Sequence, residues 1–218
     1  EALKFSDEMI SKVRGKIGLL QKVLAWPFIK LKISPNVISV IGLILALIGV
    51  YFVSQQNWLL AFVFFLLAPT MDLIDGTVAR ALKKGSNWGN YFETMIDKIV
   101  DFAMLGSFVL IPGLQVAAVL ALGFSMLSSY AKPRVALIII ADNHDWPAIG
   151  EHADKLIIIL IVLLLASFGL NLIEYGLYLI ALIAAIGTIQ RMGYAKKLIA
   201  RAEKKGTLLP YIKKKKER

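Results

Sequence analysis

Apolar residues along the chain fall into six long runs separated by short polar breaks. The runs are about Val37 to Val53, Trp58 to Leu82, Trp88 to Ile111, Val116 to Ile140, Lys155 to Phe168 and Leu172 to Ile189. Crossing a hydrocarbon core takes about 20 residues at about 1.5 Å each, so the pattern predicts six transmembrane helices, the fifth being the shortest. Ahead of them, Phe5, Met9, Val13, Ile17, Leu20 and Leu24 recur at helical spacing, with Lys12, Arg14, Lys16 and Lys22 on other faces. That spacing predicts an amphipathic helix lying in the membrane interface. A cleaved signal peptide would instead carry its charges before an uninterrupted apolar run. The expected fold is all-α and polytopic, with an interfacial helix in 1–33, a six-helix transmembrane domain over 34–199 and a basic tail over 200–218. No internal repeat is visible.

Composition agrees with a membrane setting. Of 218 residues 58% are hydrophobic, and the mean hydropathy of +0.70 is too high for an ordinary soluble domain of this length. The formal net charge is +10, and its placement is uneven. The breaks "SQQN" at Ser54, "PGLQ" at Pro112 and "GLNLIEYG" at Gly169 hold no Lys or Arg. Nearly all the basic residues lie in or beside the N-terminal arm, "KKGSN" at Lys83, the loop leading to Lys155 and the tail "KKKKER". The positive-inside rule then puts both termini and those two loops in the cytoplasm. Trp26, Trp58, Trp88 and Trp146 fall near span ends, where amphipathic rings prefer to sit. The basic tail reads as an anchor on anionic headgroups; nucleic-acid binding lacks a folded reader beside it. Gly42 with Ala46 offers a small-residue contact for helix packing or dimerisation. With no cysteine in the chain, metal work falls to carboxylates and histidines.

The chemistry concentrates in "DLIDGTVARALKKGSNWGNYFETMID", from Asp72 to Asp97. Asp72 and Asp75 are separated by about 60° around the second span, and Glu93 and Asp97 by about 40° around the third, so each pair shares a helical face. Measured from a turn near Gly85 to Asn87, Asp72 and Asp97 lie roughly 15 to 20 Å deep, with Asp75 and Glu93 about one turn shallower. Antiparallel spans thus bring acids to matching levels. Left charged and dry they would cost several kcal/mol each, so they call for neutralisation. Oxygen-only ligands suit Mg²⁺, Mn²⁺ or Ca²⁺ better than Zn²⁺. Four acids suffice for two metals, which would serve displacement at phosphorus. Ion pairing with Arg80, Lys83 and Lys98 is the plainer alternative. Gly76, Ala79 and Gly89 leave room for a ligand near the helix backbone, and Arg80 offers a planar fork for a phosphate or an acid.

This stretch resembles the signature of the CDP-alcohol phosphatidyltransferase family, Asp-x2-Asp-Gly-x2-Ala-Arg, eight residues, Gly-x3-Asp-x3-Asp. Asp72, Asp75, Gly76, Ala79, Arg80, Gly89 and Asp97 match in type and spacing; Glu93 stands where the family has its third aspartate. "SPNVISVIG" at Ser34 is similar to the Pro-Asn start of the family's first span. "SYAKPR" at Ser129 and "GEHADK" at Gly150 are similar to its acceptor-side stretches. The resemblance implies a catalytic domain of six spans with an N-terminal interfacial helix, usually a homodimer. It implies two divalent cations, Mg²⁺ or Mn²⁺, held by Asp72, Asp75, Glu93 and Asp97 on the diphosphate of a CDP-linked lipid. Asp97 would also accept the proton of the attacking alcohol, and CMP would leave toward the cytoplasm. Donor contacts would come from Asn36, Asp72, Gly76, Ala79, Arg80, Gly85, Ser86 and Gly89. The longer side chain of Glu93 shifts its carboxylate by about one methylene, which bears on the second metal's geometry.

For the small polar acceptor, Lys132, Arg134 and Lys155 are three cations able to converge on a phosphate. Similar positions bind inositol phosphate in the phosphatidylinositol-phosphate synthase branch, where arginine is usual at the place of Lys155. Inositol phosphate therefore leads as acceptor, ahead of glycerol phosphate and serine, and a soluble CDP-alcohol donor stays open. The positive-inside rule alone would also place these cations here. His144 and His152 read as solvated loop residues. A divalent-cation transporter is the rival class, but spans one, four, five and six carry almost no acid between their ends. A purely structural scaffold would leave the acid cluster without a reason.

Overall fold

The computed structural model describes residues 18, 21–140, 146–147 and 149–209. Among them the regular elements are helices: α1 over 21–30, α2 Pro35–Ser54, α3 Trp58–Ala81, α4 Asn87–Gly106, α5 Gln115–Ala136, α6 His152–Ser167 and α7 Ile173–Lys205. A short 3₁₀ turn, Ser107–Leu110, follows α4. Most of the expected interfacial helix lies outside the described residues; its last part is α1. Four helices, α2, α3, α5 and α7, are long and apolar enough to cross a membrane. The other two expected spans fall short on those grounds, because α6 has only 16 residues and α4 carries Glu93, Asp97, Lys98 and Asp101.

The chain divides into two compact units, residues 1–55 with 60–104, and 56–59 with 105–218. In the first, α2 opens with Pro35, whose missing N–H is no loss in a helix's first turn. It buries one stripe, Ile38, Ser39, Gly42, Ala46, Gly49 and Val53, at the three- and four-residue steps of a helix face. Small residues let α3 come close. A side-chain carbon at Gly42 would stand 3.1 Å from both the Ala68 carbonyl oxygen and Met71 Cβ, and one at Gly49 would overlap the fully buried Phe65 ring. The expected Gly42 contact is thus a seam between α2 and α3 of the same chain. At the other end of α2, Ala25 of α1 joins Ile38, Ile74 and Val78 in a buried cluster sealed by Phe28, Met71 and Leu82.

In the second unit α7 is the spine, with α5 and α6 packed on it. Its Gly176 gives way to Val162 of α6; a Cβ there would lie 2.6 Å from a Val162 methyl. Ile149 and Gly150, just ahead of α6, lie along α7 in the same manner. A side chain at Gly187 would collide with the Ile149 carbonyl oxygen, while Gly150, at φ +73°, has room only for hydrogen beside the Ile183 carbonyl. Arg191, 8% exposed, donates to the Ser128 carbonyl at 2.8 Å, to Ser128 Oγ, and to the Pro147 carbonyl at 3.3 Å. Helix α6 then starts with Asp154 accepting from the Gly150 and Glu151 amides at 3.0 and 3.1 Å.

The last apolar run was expected to end at Ile189, but α7 continues to Lys205. Hydropathy stops there, whereas helix propensity does not, since Ala, Lys, Leu, Arg and Glu dominate the extension. The expected boundary between 199 and 200 therefore falls inside a helix. Gly206, left-handed at φ 67°, ends it, and the chain doubles back so that Leu209 N–H donates to the Ile138 carbonyl at 3.0 Å.

The α2–α3 seam predicts that Gly49→Ala lowers stability by about 1–3 kcal/mol through overpacking. Thermal unfolding in detergent should show a lower midpoint, partly restored when Phe65→Leu is added; independent, additive effects would refute the contact.

Candidate functional site

The site lies wholly in the first unit, where α3, the turn after it, α4 and the start of α2 supply its groups. Helix α3 ends at Ala81, and Leu82 and Lys84 still donate backward to the Val78 and Ala79 carbonyls as the chain turns through Lys83 in left-handed geometry. Ser86 then caps α4, its Oγ accepting from the Gly89 amide at 2.9 Å. This tight reversal makes α3 and α4 antiparallel neighbours with their acids facing.

Carboxylate oxygens of Asp72, Asp75 and Glu93 lie within 4.8 Å of one another. Asp75 is 1% exposed. Its Oδ2 accepts a 2.5 Å hydrogen bond from Ser39 Oγ, and its Oδ1, equally buried, has no hydrogen-bond partner among the described residues. A buried acceptor oxygen without a partner carries a cost of about 1–3 kcal/mol, more for a charged group, and a cation supplies the missing partner. Among the described residues Asp72, Asp75 and Glu93 take part in no ion pair, which counts against the plainer ion-pairing alternative. Three convergent carboxylates with an orphaned oxygen fit a hard divalent cation such as Mg²⁺ or Mn²⁺. Asp97, half-buried and one turn beyond Glu93, stands outside this close trio. Asp101 is paired with Lys98 at 3.2 Å.

Beside the acids is a cavity of about 280 Å³. Asn36, Gly76, Ala79, Arg80, Gly85, Ser86 and Gly89 all line it, with Glu93 at its edge. Gly76 leaves main chain bare along it. A carbon added at Gly76 would meet only Arg80 Nη1, at 3.5 Å, so the space over that residue is open. Arg80 is exposed and donates to Thr77 Oγ1 at 3.2 Å, which holds its guanidinium along the helix. The arrangement offers a charged wall for cations, a backbone floor for a flat or polar ligand and a guanidinium at the rim.

The three cations expected at the acceptor belong to the second unit. Lys155 is buried in the first turn of α6, and Lys132 is half-buried on α5. Two residues on a helix turn Arg134 about 200° from Lys132, and it lines a groove between α5 and α7. Sequence reasoning missed Ser39, whose only signal is a lone hydroxyl in the apolar run of α2. It also missed Arg191, which lies just past the point where the last apolar run stops.

Comparison with known proteins identifies the class. The profile of the CDP-alcohol phosphatidyltransferase family matches residues 32–190, and the chain belongs to that family. It is accordingly a metal-dependent membrane transferase of phospholipid synthesis, moving a phosphatidyl-type group from a CDP-linked donor to a hydroxyl and releasing CMP. An archaetidylinositol phosphate synthase of Pyrococcus horikoshii is 31% identical over 194 residues, covering 87% of this chain and 97% of that protein. The phosphatidylinositol phosphate synthase of Mycobacterium tuberculosis, solved with CDP-DAG bound, superposes with a TM-score of 0.71 at 20% identity, covering 80% of this chain and 92% of that one. A structure of the same enzyme with manganese and citrate gives a TM-score of 0.71, covering 80% and 88%.

Ser39 fixes the orientation of Asp75, so Ser39→Ala should weaken Mn²⁺ binding by about tenfold or more, as loss of a group behind a metal ligand generally does. Titration of Mn²⁺ by electron paramagnetic resonance reads this directly. Unchanged affinity in a folded variant would mean that Asp75 is held in place without Ser39.

Proposed function

We propose that this enzyme transfers the phosphatidyl-type group of a CDP-linked lipid to a hydroxyl of inositol phosphate. The observation that carries the reading is the joining of the Asp72, Asp75 and Glu93 cluster to the backbone-floored cavity over Gly76, Ala79 and Gly89. The choice of acceptor rests on the archaetidylinositol phosphate synthase, a relative whose match covers 87% of this chain. Glycerol phosphate and serine follow in that order.

In this reading Asp72, Asp75, Glu93 and Asp97 hold two divalent cations, which when bound offset the charge of the donor's diphosphate. Gly76, Ala79 and Gly89 let the nucleotide rest against the helix backbone, and Asn36, Gly85 and Ser86 close around it. Arg80 pairs with a phosphate oxygen. Asp97, set apart from the close trio, takes the proton of the acceptor hydroxyl as its oxygen bonds to the lipid-bearing phosphorus. The diphosphate P–O bond breaks in the same displacement and CMP leaves. Lys132 and Lys155 are proposed for the acceptor's phosphate on sequence grounds, with Arg134 set about 200° around α5 from Lys132. We further read α4 and α6 as spans, giving six, with both termini and the active site toward the cytoplasm, and the enzyme as a homodimer. The acids on α4 explain why hydropathy alone passes it over.

The test is CMP release from a CDP-linked lipid by the purified protein with Mg²⁺ or Mn²⁺, offered inositol phosphate, glycerol phosphate and serine in turn. Release should require metal, be fastest with inositol phosphate and fall by at least about 100-fold in Asp97→Asn. Faster release with another acceptor would overturn the acceptor assignment. Full activity in Asp97→Asn would overturn its role as base. Gly76→Ala should fold normally, since its Cβ has space, yet raise KM for the CDP-linked donor; an unchanged KM would remove Gly76 from the nucleotide floor.

A further inference from the structure

A groove of about 630 Å³ runs between α5 and α7, entirely within the second unit. Its walls are almost wholly apolar, with Leu127, Tyr130 and Val135 on one side and Met192 on the other. Two cations interrupt them, Arg134 on α5 and Lys196 on α7, both exposed. The two helices run in parallel register along the groove. Ser128 meets Arg191 by hydrogen bond, and Ile139 shares a buried cluster with Ala202, which sets Arg134 and Lys196 at similar height on facing walls. Leu127 and Met192 lie one to two turns nearer the apolar part of both helices. Beyond Lys196 the chain turns strongly basic, with Lys197, Arg201, Lys204 and Lys205. Glu203, two turns past Lys196, is the carboxylate at the outer end of the lining.

These features describe an amphiphile with one negative headgroup. The volume falls in the range of small-ligand sites, roughly 300–1,000 Å³. An apolar wall on a membrane-spanning helix faces acyl chains rather than water, and cations near a helix's outer end attract lipid phosphate. We infer that the groove holds one anionic phospholipid of the surrounding leaflet, an acyl chain along Leu127, Ala131 and Met192 and the headgroup phosphate between Arg134 and Lys196. This lipid is bound without reacting, in addition to the CDP-linked donor of the transfer reaction.

Native mass spectrometry of the full chain in detergent tests this, with phosphatidylglycerol or phosphatidylcholine added and neither CDP-linked lipid nor acceptor present. The readout therefore stands whether or not the proposed acceptor is right. The protein should retain one phosphatidylglycerol roughly tenfold more tightly than phosphatidylcholine, because the choline cation compensates the phosphate that the two side chains would otherwise pair. Combined Arg134→Gln and Lys196→Gln should erase the preference. The matched pair Lys197→Gln and Arg201→Gln, exposed residues outside the groove lining, should keep it. Equal retention of the two lipids, or a preference that survives the first pair or vanishes in the second, would overturn the assignment. A groove filled by a second copy of the chain would appear as a dimer that dissociates in the first pair without any change in bound lipid, and would also overturn it.

Discussion

A carboxylate removed from water must find compensation within its own neighbourhood, and Asp75 obtains only half of it from the protein. Its side chain is all but inaccessible; one oxygen is held by Ser39, and the other has no hydrogen-bond partner among the described residues, while Asp72 and Glu93 stand close by. Such a group is tolerable in an apolar fold when a cation completes it. That requirement organises the first unit: α2 must present its hydroxyl at one height, and the reversal at residues 82–86 must bring α4 back in register. The glycines beside the acids follow from the same demand, since the ligand that travels with the cations needs space next to the charge.

The two units use small residues toward different ends. In the first, Gly42 and Gly49 bring α3 against α2, and Gly76 leaves a floor open to ligand. In the second, Gly176 admits Val162 and Gly187 admits the backbone of a connecting segment. All of these look alike in sequence, as glycines in apolar helices. What separates them is the partner, which is a packed side chain or main chain in the seams and open space at Gly76. Membrane helices depend on such close approach because lipid offers little hydrophobic drive for helix against helix.

Much of this was legible in the chain because the signals were local. The apolar runs marked α2, α3 and α5 to within a few residues, and the 3- and 4-residue spacing of the acids placed them on facing helices. The cavity lining from Gly76 to Gly89 followed from the resemblance of one continuous stretch. What was not legible depends on contacts between distant segments. Ser39 is one hydroxyl in an apolar helix, and its meaning comes from Asp75, thirty-six positions away. Arg134 and Lys132 look like one basic cluster when written in a line, yet the helix turns them apart. The length of α7 was underestimated because hydropathy marks where lipid ends, whereas helix propensity marks where the helix does.

The seam at Gly150 and Gly187 works through atoms that are not there. A contact made by side chains can drift, since a loss on one face is answered by a gain on the other. A contact made by clearance has no such currency: any residue larger than glycine at position 187 pushes on a main-chain oxygen, which has no smaller version. The stretch at residues 149–150 and the middle of α7 therefore constrain each other, free to change in what projects outward and fixed to glycine where the backbones touch.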